Sequence, residues 1–83
     1  MYFVYILRSL KDNRFYIGST QDVEKRIRQH NAGYQPATRH RIPFELVHVE
    51  SFQNRSEATA RERYLKKLKS HHYVEQWILT RRE

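Results

Sequence analysis

Two stretches decide the fold: Tyr2-Phe3-Val4-Tyr5-Ile6-Leu7, and then, beyond Asp12-Asn13, Phe15-Tyr16-Ile17-Gly18. Six consecutive apolar or aromatic residues read as a strand buried on both faces, and so as the centre of its sheet. Asp12 and Asn13 break the run, and both residue types tolerate the positive φ of a tight hairpin. The chain therefore opens as a β-hairpin. An even-numbered loop makes opposed residue numbers sum to an odd value, which sets Tyr5, Ser9, Tyr16, Gly18 and Thr20 on one face. Gly18 then has two readings. Its missing side chain leaves a notch beside the tyrosines where a substrate or another backbone approaches, or the tyrosines pack and Gly18 marks a bulge. The residues alone favour packing.

Beyond Thr20 the period changes. Val23 and Ile27 are four apart, Asp22 and Glu24 suit a first turn, and Gly33 suits a C-terminal cap, so the spacing predicts a helix over roughly 21–32. Tyr34 to Ile42 has no period and reads as a basic loop. Phe44 to Val49 has the composition of a third strand. Asn54-Arg55-Ser56-Glu57 has the form of a capping box and starts a second helix reaching about Lys69. Ser70 caps a last short helix striped by Val74, Trp77 and Ile78, where Trp77 and Tyr73 read as packing rather than a base-stacking platform. The order β-β-α-β-α-α gives an α/β chain of the α+β type: a three-stranded sheet with helices on one face, leaving the other face or an edge for function.

Eighty-three residues make one domain, 1–83, within the usual range of about 50–250. The absence of cysteine excludes a disulfide framework, a thiolate metal site and a cysteine nucleophile, and points to the cytoplasm. The apolar run Met1 to Leu7 is too short to cross a bilayer and lacks the flanks of a signal peptide, so no membrane is expected. Charge is more telling. Sixteen Lys and Arg against nine Asp and Glu give +7. Residues 1–41 hold eight basic and three acidic side chains, 42–54 none and two, and 55–83 eight and four. Two basic blocks around an acidic one are the footprint of a protein that displaces counterions from phosphates, with a merely solvated surface as the plainer alternative.

Three positions stand out chemically. Arg26 and His30 are neighbours on one face of the first helix, beside the Val23 and Ile27 stripe, where a guanidinium grips phosphate and an imidazole exchanges a proton near neutral pH. Each is also compatible with an ordinary helix surface. Glu62, four after Ala58 and three before Leu65, falls on or beside an apolar stripe, so it pairs with Arg26, stays exposed, or is the lone carboxylate of a hydrated Mg²⁺. Spacing alone favours the ion pair or exposure. Adjacent His71 and His72 diverge on a helix and make no metal motif, and no Walker loop, GxGxxG, HExxH or GxSxG is present.

Phe3-Val4-Tyr5, ten intervening residues, Tyr16-Ile17-Gly18, then Arg26, His30 and Glu62 in that order resemble the GIY-YIG nuclease family over almost the whole chain. The run to Thr20 and the segment His30-Asn31-Ala32-Gly33 look most like its small stand-alone bacterial members. The resemblance implies a three-stranded antiparallel sheet flanked by helices and a one-metal phosphodiesterase site. It implies Tyr5, Tyr16, Arg26, His30 and Glu62 as catalytic residues, Glu62 as ligand of Mg²⁺ or Mn²⁺, and Tyr16 or His30 as the group handling the attacking water. Tyr5 would orient that water or position the phosphate.

Nucleic acid, DNA first, is the implied partner. Lys25, Arg28, Arg39, Arg41, Lys66 and Lys69 are the cations expected to hold it, on a monomer to which a separate protein supplies targeting. Two departures stand out: Phe3 replaces the first glycine, and no asparagine follows Asn54, where many family nucleases carry one after the metal glutamate, leaving Ser70, His72 or Gln76 as substitutes. A non-catalytic nucleic-acid-binding module on the same scaffold is the alternative.

Overall fold

The computed structural model describes residues 1–68. Strands β1 (Tyr2–Ser9) and β2 (Phe15–Thr20) are followed by helix α1 (Val23–Asn31), a 3-10 turn over Arg39–Arg41, strand β3 (Phe44–Phe52) and helix α2 (Arg55–Lys67). Lys69 and the helix expected after Ser70 lie outside the described residues. The sheet is antiparallel in the order β2-β1-β3, so the unbroken apolar strand is indeed central.

The hairpin register is the one parity predicts. Tyr5 faces Gly18, Leu7 faces Tyr16 and Phe3 faces Thr20. Asn13 takes the positive φ, at 60°, and the Ser9 hydroxyl accepts the Lys11 and Asp12 amides while donating to the Arg41 carbonyl. No register shift interrupts β1 and β2, so Gly18 is not at a bulge. The bulge lies in β3, where Ile6 faces His48 and Leu7 faces Leu46, leaving Val47 over.

Helices cover both faces, not one. Val4, Ile6 and Ile17 pack under Ala58 and Leu65 of α2, while Tyr5, Leu7 and Phe44 pack with Tyr16, Ile42 and Ile27 of α1. An all-apolar central strand needs both covers, since either face left open would expose several of its side chains. β2 and β3 are the two edges; α2 packs against β2, and Ser19 of β2 meets Glu62 of α2 there.

Caps set the helix ends. Asp22 accepts the Lys25 amide at the start of α1, and Asn54 accepts the Glu57 amide at the start of α2 while its amide donates to the Glu57 carboxylate. The capping box is therefore present, closed side chain to side chain. The Asn31 side chain donates to the Phe44 carbonyl and accepts the Phe44 amide, which ties the end of α1 to the start of β3.

Candidate active site

The hairpin parity that puts Tyr5 and Tyr16 on one face also aims both at α1. Tyr5 is almost fully buried and His30 entirely so. The Tyr5 hydroxyl lies 3.2 Å from His30 Nε2, and His30 Nδ1 lies 3.2 Å from the Thr38 hydroxyl, itself buried. Tyr16 stacks edge-on against His30 at 4.8 Å and stands 6.3 Å from the Tyr5 ring. Gly18 is what admits this arrangement: a Cβ there would sit 2.5 Å from Tyr5 Oη and 3.2 Å from Tyr16 Cε1. The gap left by its missing side chain is filled by Tyr5, so the tyrosines pack there, with neither a notch nor a bulge at Gly18.

Protonation follows from the surroundings. Burial raises the Tyr5 phenol above its ordinary value; the approach and charge of the Arg26 guanidinium oppose this, and Tyr16 and Glu62 add to the rise. Tyr5 keeps its proton at neutral pH. Burial, and then the Arg26 charge, push His30 below its ordinary value, so it is neutral there. A neutral imidazole carries a single N–H, so one ring nitrogen donates and the other accepts across these two contacts with Tyr5 and Thr38. His30 touches the site through Tyr5 and Tyr16, not through solvent.

Arg26 and Glu62 frame the β2 edge. The Arg26 Nη1 donates to Gln29 Oε1 at 3.4 Å, but its Nε is buried without a hydrogen-bond partner, and Arg26 makes no ion pair among the described residues. Glu62 is not its partner. Instead Glu62 Oε1 accepts from the Ser19 hydroxyl at 2.7 Å, and Oε2 pairs with Lys66 Nζ at 2.6 Å. Burial raises the Glu62 carboxyl, yet hydrogen bonds from Lys66 and Ser19 and the Lys66 charge outweigh it and hold the group below its ordinary value. Glu62 is ionised and half-buried. The Tyr16 hydroxyl has no hydrogen bond among the described residues, which leaves it as the tyrosine open to a ligand.

A model of the GIY-YIG catalytic domain matches residues 1–74. This chain belongs to the GIY-YIG family. It is similar to a UPF0213 protein of Clostridium perfringens, 49% identical over 69 residues, 82% of this chain and 73% of the relative. A UPF0213 protein of Haloquadratum walsbyi is 47% identical over 66 residues, 78% and 73% of the two chains. The solution NMR structure of a UPF0213 protein from Bacillus halodurans superposes with a TM-score of 0.61 at 39% identity, covering 96% of this chain and 85% of that one. The matched domain is a catalytic one, and nucleic acid is the substrate class that the GIY-YIG nuclease family implies, its nucleases generally using divalent metals.

Within this GIY-YIG fold the expected cations divide. Lys25 and Arg28 lie on the outer face of α1, and Arg39 is exposed. Arg41, expected at the nucleic-acid surface, is engaged within the fold: it bonds Asp12 at 3.2 Å and the Phe15 carbonyl at 3.3 Å and covers the Phe44 ring. Lys66 is engaged by Glu62. Sequence reasoning missed Thr38, a hydroxyl in an irregular loop with no signal to single it out. It also missed Ser19, which parity could have found, because an odd sum places Ser19 opposite Val4 and hence on the α2 side. No helix among the described residues is long and apolar enough to cross a membrane.

Proposed function

We propose that this chain hydrolyses phosphodiester bonds of DNA with one divalent metal, Mg²⁺ or Mn²⁺, at Glu62. The observation that carries the reading is the buried Arg26 Nε–H without an acceptor. The guanidinium also lies beside Tyr5 with no carboxylate partner among the described residues, and a phosphate supplies the anion it lacks. The planar guanidinium would then hold the non-bridging oxygens as negative charge grows on them.

The residues at the edge fit a metal. No group of three or more His, Asp or Glu side chains gathers as a ligand cluster among the described residues, but a hydrated Mg²⁺ needs one or two carboxylates beside water and substrate phosphate. Glu62 is ionised, is steered by Ser19, and already holds a cation in the Lys66 ammonium. A metal bound there supplies charge neutralisation at the scissile phosphate and at the leaving oxygen.

Tyr16, with its free hydroxyl, orients the attacking water. Tyr5 is a positioning residue, fixed by His30, which Thr38 fixes in turn. As the water oxygen bonds phosphorus, the bond to one sugar oxygen breaks. One proton leaves the water and one reaches the leaving oxygen, giving a phosphomonoester end and a hydroxyl end.

The test is cleavage of labelled single-stranded, duplex, flapped and four-way-junction DNA and one RNA with either metal, by wild type and Glu62→Gln. Cutting by wild type alone is expected. The binding-module reading draws on Lys66 occupying Glu62; it predicts salt-sensitive binding by both proteins with no cutting by either.

A further inference from the structure

The outer face of α1 carries a second feature that the chemistry above does not use. Lys25, Arg28, Gln29 and Ala32 follow the i, i+3, i+4, i+7 spacing of one helix face, and with Tyr34 they line a cleft of about 330 Å³. That lies within the size of pockets for small ligands, about 300–1,000 Å³. Two of the five residues are cations and none is acidic. Tyr34 is 70% exposed, which is unusual for a ring able to bury well over 100 Å² of surface.

Its place is fixed by the backbone. α1 ends in a Schellman motif: the Tyr34 amide donates to the Gln29 carbonyl at 3.1 Å, the Gly33 amide to the His30 carbonyl at 3.1 Å, and Gly33 takes φ 81°. The reversal at Gly33 carries Tyr34 back along the helix, so its position is set before any ligand arrives. An exposed ring on a fixed backbone beside two cations has the make-up of a stacking platform with phosphate anchors. Gln29 joins this cleft to the candidate site, because its side-chain oxygen accepts from Arg26 Nη1.

We infer that this cleft is a subsite for unpaired nucleotides flanking the cut, with one base stacked on Tyr34 and phosphates on Lys25 and Arg28. The inference rests on the nuclease reading and sharpens it, naming the substrate class as DNA with a single-stranded segment beside the scissile bond. Lys25 to Ala32 spans about 10 Å at 1.5 Å per residue, enough for a short run of nucleotides. Duplex DNA buries its base faces in its own stack and gives Tyr34 nothing to receive.

The experiment measures binding of the full chain carrying Glu62→Gln to a fluorescent oligothymidine and to a duplex of equal length, over a range of salt. Adding Tyr34→Ala should weaken single-strand binding about tenfold, as loss of one base stack does, and leave duplex binding unchanged; Tyr34→Phe should bind as the parent. Arg28→Ala should lower the slope of log affinity against log salt by about 0.7, one phosphate contact on a single strand. An unchanged single-strand affinity in Tyr34→Ala, or an equal loss on both ligands, overturns the subsite. Gly33→Ala strains a positive φ while its Cβ meets ordinary contacts at 3.7 Å and beyond, so it should reproduce the single-strand defect in part by moving Tyr34. These are binding readouts, so they stand whether or not wild type cuts the cleavage panel.

Discussion

Replacing Gly18 by alanine tests the packing that assembles the site. The backbone at Gly18 has no positive φ, so alanine is conformationally allowed and the whole cost is collision. The new Cβ would lie 2.5 Å from Tyr5 Oη and 2.8 Å from Tyr5 Cζ, and Tyr5 has nowhere to swing, being 1% exposed and bonded to His30. Overpacking of this kind costs about 1–3 kcal/mol, and a displaced buried hydrogen bond adds about 1 kcal/mol.

The sum, about 2–4 kcal/mol, is a large share of the stability of a small domain. At about 4–8 °C per kcal/mol for this size the melting temperature should fall by at least about 8 °C, read by circular dichroism. Tyr5→Phe removes the atom in the worst contact, so the double variant Gly18→Ala with Tyr5→Phe should lose less than the two single losses added, by about 1 kcal/mol or more. A melting temperature within about 2 °C of wild type, or strict additivity in the cycle, would refute the argument.

Two further outcomes follow from the charges. The His30 pKa is lowered on folding, so the unfolded chain binds the proton more readily; stability is complete above the unfolded value of 6.5 and declines as pH falls below it. Glu50 and Glu62, both held below the ordinary 4.5, add losses at lower pH as they protonate. Urea unfolding should thus show lower stability at pH 5.5 than at pH 7.5, with the difference reduced in His30→Gln; equal stabilities would contradict the buried, neutral imidazole. Lys66→Gln should raise the affinity of the free protein for Mn²⁺ several-fold, measured by electron paramagnetic resonance. The change in stability should stay under about 1 kcal/mol, because the Lys66 side chain is 55% exposed. Unchanged Mn²⁺ affinity would show that the ammonium does not compete for Glu62.

Much of the scaffold was legible because its signals are local. The apolar run of β1, the Asn13 turn, the Asp22 and Asn54 caps and the Gly33 stop each declare themselves within a few residues, and parity then carries Tyr5 and Tyr16 to one face without further information. What was not legible depends on the third dimension. Val47 becomes a bulge because Phe44 and Phe52, an even number of residues apart, must reach opposite clusters while β3 pairs with β1 throughout. Tyr5 is closed off by a hydroxyl 25 residues away in sequence from its partner, and no spacing rule links Thr38 to His30. The charge of Arg41 shows in the sequence, but its partners Asp12, Phe15 and Phe44 do not. Glu62 was singled out correctly as odd on its helix, but its partners Ser19 and Lys66 replace the Arg26 that spacing suggested. That swap leaves Arg26 Nε open.

The most direct measurement is single-turnover cleavage of the best-cut substrate by wild type and Arg26→Lys at saturating protein. The account predicts a loss of about 10²-fold or more in rate for Arg26→Lys, the scale of removing one donor from a developing oxyanion, with strand binding retained. An Arg26→Lys variant that cuts at the wild-type rate would contradict it.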